Sequence, residues 1–459
     1  MSRVNDIVAG IAARIERGDL RPAERLPSVR AGAAAHGVSK NTLAEAYDRL
    51  VALGLLEARP GSGYYVGQAR HASAQPVAPH VVEAIDTVSL LREQLVQHYA
   101  VRVGDGRAPP AWMARFDLPR PSAAGRAADV ELEHGYGNPW GNAPLRDRLA
   151  QTLAERGITA GIEQILLTHG ANHALDLVAR QLLQPGDVVL VDTPGYYPLF
   201  GKLRLSNVRV VGVRRLPDGP DVEDLAAKVA AFKPKVFFTQ SLAHNPTGGS
   251  LTLPVAHRVL RVATEAGMYI VEDDPFADIL PSTSPRLATL DQLERVVYVG
   301  TFSKTLSASL RVGYVAGAPA LMKTLCDLKM LTVVSTSDFV ERLVFNLMAR
   351  GQYLRHVRRL RGHVERAQRD AANALEGLGL TLSHVGGGGF YLWVELAPHI
   401  DELALVRAAA RESVFLAPGS VFRTERVDQP PALRVNVAYA NDPRFVDFMR
   451  RHAGGRAPR

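Results

Sequence analysis

The stretch Thr301–Leu306, with the sequence TFSKTL, decides the interpretation of this chain, and Arg311 follows seven residues after its lysine. An apolar run at 295–299 precedes it and predicts a strand, so Lys304 is placed at a strand end among small hydroxyl side chains. A lysine screened from water loses its proton more readily, and it can then attack an aldehyde to form a Schiff base. The hydroxyls and the arginine offer fixed donors and a permanent charge, which suit a phosphate group. An ordinary loop lysine is the alternative.

The composition predicts a soluble protein of two or three domains. The chain has 459 residues, of which 47% are hydrophobic and 22% charged, as in an ordinary globular protein. The sequence contains no apolar run of membrane-spanning length, and its first twenty residues mix charges with apolar side chains, unlike a signal peptide. The single cysteine, Cys326, excludes an internal disulfide framework and favours a reducing cytoplasm. We predict no membrane association and no metal site.

The charge balance alone does not identify a partner. The formal net charge is +8, which is compatible with nucleic-acid binding, although many basic proteins bind none. Residues 1–66 carry nine Lys and Arg against seven Asp and Glu, so the surplus is not concentrated at the start of the chain.

The pattern of residues 1–66 predicts a winged helix-turn-helix. Apolar residues three or four apart predict a first helix at 4–17, and Ser28 and Ser39 are placed to cap a second and a third helix. Residues 55–66 read as two short strands about a glycine turn. In a winged helix the start of the third helix faces bases and phosphates in the major groove, and Lys40, Asn41 and Thr42 are residue types that can contact them. A small helical domain that binds protein is the alternative.

This region resembles the GntR family of DNA-binding domains over nearly all of residues 4–66. The motifs that carry the resemblance are LPSVR at 26–30, GVSKNT at 37–42, LGLL at 53–56 and GSGYYV at 61–66. The resemblance implies binding to double-stranded DNA, with contacts from Arg30, Ser39, Lys40 and Asn41 and with Gly61 at the tip of the wing.

The rest of the chain predicts a linker and an α/β domain. Residues 67–125 are assigned to the linker, since 68–80 is rich in Ala, His and Pro and has no periodicity. In the domain at 126–459, short apolar runs alternate with helical segments, which predicts a mainly parallel sheet buried on both faces. The apolar runs lie at 165–168, 188–191, 208–213, 236–239, 268–271 and 296–299. Residues from about 339 to 459 predict a small C-terminal α+β subdomain.

Polar residues follow several of these strands. Ligands of such sheets bind beyond the carboxyl ends of the strands. Residues 170–172 open a helix after the first strand, where backbone N–H groups can hold a phosphate. Tyr196 follows the second strand and can stack on a flat ring, and Asn245, Asp273 and Lys304 follow later strands. Each alone fits an ordinary turn or helix start, but their shared position at strand ends favours one site.

This set resembles fold-type I pyridoxal-phosphate enzymes of the class I aminotransferase kind, over roughly residues 130–440. The resemblance implies pyridoxal 5′-phosphate bonded to Lys304 as an aldimine. It implies that Asp273 keeps the pyridine nitrogen protonated, that Asn245 donates to the phenolic oxygen, and that Tyr196 stacks on the ring. The implied phosphate-binding residues are Gly170, Ala171, Asn172, Thr301, Ser303 and Arg311. Arg434 matches the arginine that holds a substrate carboxylate in a two-point contact.

Two residues depart from the family pattern. The family has a tyrosine three residues after the ring aspartate, where this chain has Phe276, and it has a hydroxyl residue where this chain has Ala171. The first change removes a hydroxyl from the phenolic oxygen and disfavours efficient transamination. The second leaves that phosphate contact to the backbone, so cofactor binding is expected to survive.

The complete order of domains resembles the MocR-type subfamily of GntR transcriptional regulators. The resemblance implies a cytoplasmic, head-to-tail homodimeric regulator that senses an amino compound, or the cofactor itself, through aldimine exchange at Lys304. The alternative is an active aminotransferase, converting an amino acid to a 2-oxo acid, with an accessory DNA-binding domain. A DNA-binding dimer that leaves its pocket unused is a third possibility.

Overall fold

The computed structural model describes residues 3–17, 19–52, 54–59, 61–67, 89–96, 99–113, 135–384, 387–425 and 429–453. The chain divides into two compact units, Met1–Val77 and Ala78–Arg459. Residues 68–80, which carry the composition of a linker, lie outside the described residues.

The first unit has the predicted winged helix-turn-helix. Its elements are α1 (Arg3–Glu16), α2 (Val29–Ala35), α3 (Lys40–Ala52) and the antiparallel strands β1 (Leu56–Arg59) and β2 (Gly63–Val66). The apolar stripe of α1, including Ile7 and Ile11, is buried with Leu43 and Leu50 of α3. Ser28 caps α2 as predicted, because its Oγ accepts from the backbone N–H of residue 31 at 3.3 Å.

The second unit contains the remaining elements. Before its large sheet come α4 (Ser89–Val96) and α5 (Ala143–Ala154). The strands of the sheet are β3 (Ile165–Thr168), β4 (Val188–Thr193), β5 (Arg209–Leu216), β6 (Gly219–Pro220), β7 (Val236–Thr239), β8 (Tyr269–Asp274), β9 (Val296–Thr301) and β10 (Gly313–Ala316). The helices between them are α6 (Ala171–Leu182), α7 (Tyr197–Leu205), α8 (Val222–Phe232), α9 (Leu253–Glu265) and α10 (Leu287–Asp291).

The large sheet is mainly parallel, as predicted. Its strand order is β3-β10-β9-β8-β7-β4-β5-β6, and β4, β5, β7, β8 and β9 are parallel. β10 runs antiparallel to both of its neighbours, and the sequence pattern did not predict this strand. Alternate residues of one strand enter opposite cores: Leu190 packs in one, and Val189 and Val191 pack in the other. Helices therefore cover both faces of the sheet.

The C-terminal part forms the predicted small α+β subdomain. It follows α11 (Pro319–Val333) and α12 (Asp338–Ala349) and begins with the long α13 (Gln352–Glu376). Its four antiparallel strands lie in the order β11-β12-β14-β13. Its further elements are β11 (Thr381–Leu382), β12 (Tyr391–Glu395), α14 (Glu402–Arg411), β13 (Ala417–Pro418), β14 (Ala432–Asn436) and α15 (Pro443–His452).

Residues 99–113 fall in the predicted linker, yet they pack into the second unit. Val101 and Val103 are buried in the core of the small subdomain. The backbone N–H of Val101 donates to Ser413 O at 3.1 Å, and Val101 O accepts from Phe415 N at 2.8 Å. We call residues 99–107 the strap. The compact unit therefore includes at least this part of 67–125.

Candidate functional site

The carboxyl ends of the parallel strands bring the polar residues of the site together. Thr239, at the end of β7, pairs with Glu272 of β8, so the next residues, Gln240 and Asp273, are neighbours. Gln240 Nε2 donates to Asp273 Oδ2 at 2.7 Å, and its Oε1 accepts from the backbone N–H of Asn245 at 2.8 Å. Gln240, which sequence reasoning missed, therefore sets the relative positions of two predicted site residues.

A buried polar network lies behind Gln240. Asp192 Oδ2 accepts from Thr239 Oγ1 at 2.8 Å and from the backbone N–H of Gln240 at 3.3 Å. The same oxygen lies 3.4 Å from His244 Nε2 and 3.3 Å from Arg215 Nη1. Burial and the nearby Arg215 lower the pKa of His244 to about 4, so this imidazole is neutral at pH 7. The network fixes the β7 end of the site.

Asp273 is a buried carboxyl with one unsatisfied oxygen. It is 7% exposed, and its Oδ1 has no hydrogen-bond partner among the described residues. Burial, reinforced by the adjacent Asp274, raises the pKa of Asp273 to about 7, whereas Gln240 and Lys304 act in the opposite direction. A cationic ring nitrogen would provide this oxygen with a donor and stabilise the ionised carboxyl. This unsatisfied oxygen fits the ring of pyridoxal phosphate.

In the protein without cofactor, Asp273→Asn is expected to raise the free energy of unfolding above pH 7 and to change it little below about pH 4. Between pH 3.8 and about 7 the folded state holds a proton on Asp273 that the unfolded state has lost, so wild-type stability falls with rising pH. Each pH unit is worth about 1.4 kcal/mol, and the whole window about 4 kcal/mol. Denaturant unfolding of both proteins across this window measures the effect. If the curves of unfolding free energy against pH ran parallel for the wild type and the variant, the raised pKa of Asp273 would be contradicted.

Asn245 and Arg434 are in direct contact. Arg434 Nη1 donates to Asn245 Oδ1 at 3.0 Å, and Arg434 Nη2 donates to the carbonyl oxygen of Gly104, in the strap, at 2.7 Å. Arg434 therefore contacts the Oδ1 acceptor of the Asn245 amide and not its Nδ2 donor. Arg434 is 2% exposed, and its Nε has no partner among the described residues. Two donors of this guanidinium are therefore satisfied by the protein, and one buried donor is left unsatisfied.

Lys304 contacts the strap two residues beyond the carbonyl that Arg434 binds. Its Nζ donates to the carbonyl oxygen of Gly106. The hydroxyl of Tyr391, in β12, donates to the same oxygen at 2.9 Å. Tyr391 and the carbonyls of Gly104 and Gly106 are further parts of the site that the sequence pattern did not indicate.

The predicted phosphate-binding residues form one cluster. Gly170 has a φ of +77°, and a Cβ built there would lie 2.9 Å from Arg311 Nη2. Arg311 Nη2 donates to the carbonyl oxygen of residue 169 at 2.8 Å, and Nη1 reaches Ser303 Oγ at 3.4 Å. Thr301 Oγ1 donates to Ser303 Oγ at 3.1 Å. Ala171 and Asn172 are the first residues of α6, whose opening N–H groups have no acceptor within the helix. These donors fit a phosphate group.

Tyr196 lies beside Asp273 at the start of α7. The two residues line a cavity of about 20 Å³ together with Gln240 and His244. Burial, together with the Asp273 carboxyl, raises the pKa of Tyr196, so the phenol stays protonated.

A larger cavity, of about 790 Å³, is lined by Lys304 and by strap and helix residues including Leu343.

Phe276 is fully buried in an aromatic cluster. Its ring contacts Phe390 and Tyr391 edge to face, at centroid distances of 5.1 and 5.7 Å. Phe276, which has no hydroxyl, therefore lies in an apolar environment that suits its side chain.

The predicted DNA-contacting residues lie on the surface of the first unit. Arg30, Lys40 and Asn41 are exposed, and Gly61, with a φ of +74°, turns the hairpin. Ser39 Oγ accepts from the backbone N–H of residue 42 at 3.1 Å, so its hydroxyl caps α3. The exposed donors of the α3 start are therefore those of Lys40 and Asn41.

Two family models match the chain. A model described as aminotransferase class I and II matches residues 100–446, and a model described as bacterial regulatory proteins of the gntR family matches residues 3–66. The first match begins inside the strap. Among the described residues, no helix is long and apolar enough to cross a membrane, and no group of His, Cys, Asp or Glu side chains is arranged to hold a metal ion.

Curated relatives cover nearly the whole chain. YdcR, an HTH-type transcriptional regulator of Escherichia coli strain K12, is 29% identical over 440 residues, which are 92% of each chain. NorG, an HTH-type transcriptional regulator of Staphylococcus aureus strain USA300, is 24% identical over 91% of this chain and 96% of its own. The similarity to both relatives therefore extends over both units.

Solved structures similar to the second unit include aminotransferases. LysN, an α-aminoadipate aminotransferase of Thermus thermophilus complexed with N-(5′-phosphopyridoxyl)-L-leucine, gives a TM-score of 0.69 at 26% identity, over 80% of this chain and 95% of its own. The kynurenine aminotransferase of Pyrococcus horikoshii, in complex with PMP, gives 0.69 at 25% identity, over 84% of this chain and 96% of its own.

Proposed function

Because the chain belongs to the aminotransferase class I and II family and carries a GntR-family domain at its start, we propose that it is a pyridoxal-phosphate-dependent transcriptional regulator that senses an amino compound at Lys304. Its domain order and its regulator relatives are consistent with the MocR-type subfamily. The observation that carries the cofactor assignment is the buried, unsatisfied Oδ1 of Asp273, in a site that also contains Lys304.

Residues on several elements would hold the cofactor. Asp273 would pair with the ring nitrogen, the Asn245 amide would donate to the phenolic oxygen, and Tyr196 would stack on the ring. The cluster around Arg311 would bind the phosphate through its guanidinium, the hydroxyls and the start of α6. When bound, the cofactor supplies an aldehyde carbon for which Lys304 and an amino compound compete.

The cavity beside Lys304 supports an effector with an amino group. Its volume of about 790 Å³ accommodates a small amino compound, and Lys304 and Ser303 are part of its lining. The unpaired Nε–H of Arg434 favours an effector that also carries a carboxylate. An effector shifts DNA binding only if the two states of the site favour different arrangements of the protein.

Phe276 favours sensing over catalytic turnover. A phenylalanine in this apolar environment provides no hydroxyl to stabilise the phenolic oxygen of the ring. The second candidate function, an active aminotransferase, is favoured by the presence of Lys304, Asp273, Asn245 and Arg434 in one site. The two functions differ in whether the amino group leaves the effector.

We also propose that the protein is a homodimer. The surface of the second unit exposes apolar side chains on and near α11 and α12, including Leu331, which is 86% exposed, and Phe339, which is 60% exposed. Such a patch on a soluble protein marks an interaction surface.

The start of α3 is proposed to bind operator DNA. Replacing Lys40 and Asn41 together with alanine is expected to weaken binding by about 100-fold, because one phosphate contact and one base contact are lost. Fluorescence anisotropy on a duplex selected by the wild type from a random library measures the affinity. The control is Arg17→Ala, which removes a positive charge outside α3. Equal affinities for the double variant and the control would contradict the assignment.

A product assay tests sensing against turnover. The protein with bound cofactor is incubated with each amino acid and a 2-oxo acid acceptor, and the new 2-oxo acid is quantified. We expect less than one product molecule per chain. Sustained turnover would support the enzyme instead of the regulator.

A further inference from the structure

Two side-chain donors meet at one backbone carbonyl in the strap, that of Gly106. The Tyr391 hydroxyl donates to it at 2.9 Å, and Lys304 Nζ donates to the same oxygen. Tyr391 is fully buried, with the Arg434 guanidinium 4.6 Å from its ring centroid and the Phe276 ring at a centroid distance of 5.7 Å. These contacts therefore fix the direction of the hydroxyl.

The backbone around Gly106 is also fixed. Arg434 Nη2 donates to the carbonyl oxygen of Gly104 at 2.7 Å. Asn436 Nδ2 donates to the carbonyl oxygens of the residues on either side of Gly106, at 2.9 and 2.8 Å. Asn436 is fully buried in β14. The Gly106 carbonyl is consequently a preorganised acceptor directed at Lys304.

We infer that Tyr391 is a positioning residue for the sensing reaction. Its hydroxyl holds the Gly106 carbonyl in place, and that carbonyl oxygen accepts a hydrogen bond from the Lys304 amine once an amino compound has displaced Lys304 from the cofactor. This inference rests on the proposed function. In the exchange, the nitrogen of the incoming amine replaces the Lys304 nitrogen on one carbon, and its protons pass to Lys304. No oxidant or reductant is needed.

An acceptor for the free lysine makes the exchange more favourable. A ligand shifts an equilibrium only by the difference in stability between the two states. The Gly106 carbonyl stabilises the state in which Lys304 carries its own N–H groups. Positions 276 and 391 thus concern different groups. A hydroxyl at position 276 would meet the cofactor ring, whereas the Tyr391 hydroxyl supports the lysine that leaves the ring.

The test measures how much amine is needed to remove the cofactor from Lys304. The full chain with bound pyridoxal phosphate is titrated with methylamine, which has no carboxylate for Arg434. Borohydride then fixes the cofactor to whichever amine holds it, and intact mass and peptide mapping count the chains modified at Lys304. Tyr391→Phe is expected to raise the methylamine concentration at half-release by about two- to tenfold, the effect of one net hydrogen bond.

Two further variants complete the design. Tyr99→Phe makes the same chemical change in the strap, but the Tyr99 hydroxyl donates to Glu93, at 3.1 Å, so this control is expected to match the wild type. Asn436→Ala frees the carbonyls beside Gly106 and is expected to shift the titration in the same direction as Tyr391→Phe. It keeps the inference testable should Tyr391→Phe bind too little cofactor.

The outcomes separate the inference from the proposed function. A titration midpoint that neither Tyr391→Phe nor Asn436→Ala raises would overturn the role of Tyr391 and leave the proposed function intact. A wild-type chain that carries no cofactor on Lys304 before methylamine is added would overturn both.

Discussion

Replacing Lys304 with alanine is expected to abolish the covalent attachment of pyridoxal phosphate and, with it, any effect of amino compounds on DNA binding. Lys304 is the lysine that the strand ends place near Asp273 and the phosphate cluster. DNA affinity without effector is expected to stay within about threefold of wild type, because the α3 surface belongs to the other compact unit. Borohydride trapping followed by intact mass measures attachment.

Lys329 is the strongest rival for the covalent link. Burial lowers the pKa of its amine to about 8, which makes it a reactive candidate by ionisation alone. Its Nζ, however, donates to the carbonyl oxygens of Pro139 and Leu167 at 2.7 and 2.8 Å and to Thr336 Oγ1 at 3.0 Å. Lys323→Ala, which removes an exposed lysine, is the matched control. Trapped cofactor that persists in Lys304→Ala would contradict the assignment.

Asp273→Asn is expected to weaken the binding of pyridoxal phosphate by at least about 100-fold. The variant leaves the shape of the site unchanged but removes the negative charge that would pair with the ring nitrogen. Removing one partner of a buried ion pair costs roughly 3–5 kcal/mol, and every 1.4 kcal/mol or so is tenfold in affinity. The change is measured by equilibrium titration of the cofactor-free protein, followed by absorbance.

The control for this variant removes a carboxylate outside the proposed ring-nitrogen contact. Asp176 pairs with Arg180 and Lys202 on the surface of the second unit, so Asp176→Asn is expected to bind the cofactor nearly as wild type. A cofactor affinity that Asp273→Asn leaves unchanged would show that the buried carboxyl does not meet the ring.

The Asp273 carboxyl is therefore expected to strengthen cofactor binding and to lower the stability of the cofactor-free fold. The same substitution that removes cofactor affinity is expected to stabilise the cofactor-free fold at neutral pH, since it removes a buried carboxyl with a raised pKa. An ionisable group that destabilises the empty fold and stabilises the loaded one makes folding stability depend on the cofactor.

The sheet and the positions of the strand-end residues were predictable from the sequence. Apolar runs of four residues predicted β3 and β7 at the bounds that the structure has. Because parallel strands end at one edge of the sheet, Asp273 and Lys304 were expected to be near each other before any contact was known. Gln240 carried the same signal, since it follows β7 directly, but it was not recognised.

Contacts between distant parts of the chain were not predictable. The strap contains Gly104, and prolines follow it at 109 and 110, so its local pattern indicates a break in structure. Its order comes from partners more than 300 residues away, such as Phe415 and Asn436. Tyr391 likewise reads as an ordinary strand residue until the structure brings it to Gly106. β10 begins with glycine and ends with alanine, residue types that are depleted in strands, so its pattern does not predict one.

Sensing is tested most directly by the DNA affinity of the full chain with bound pyridoxal phosphate, measured with and without a panel of amino acids and amines. For a sensor, we expect that at least one compound changes the affinity in the wild type, that Lys304→Ala shows no change with the same compound, and that no 2-oxo acid accumulates. An affinity that no compound alters, together with steady formation of a 2-oxo acid, would contradict the sensor and identify an enzyme.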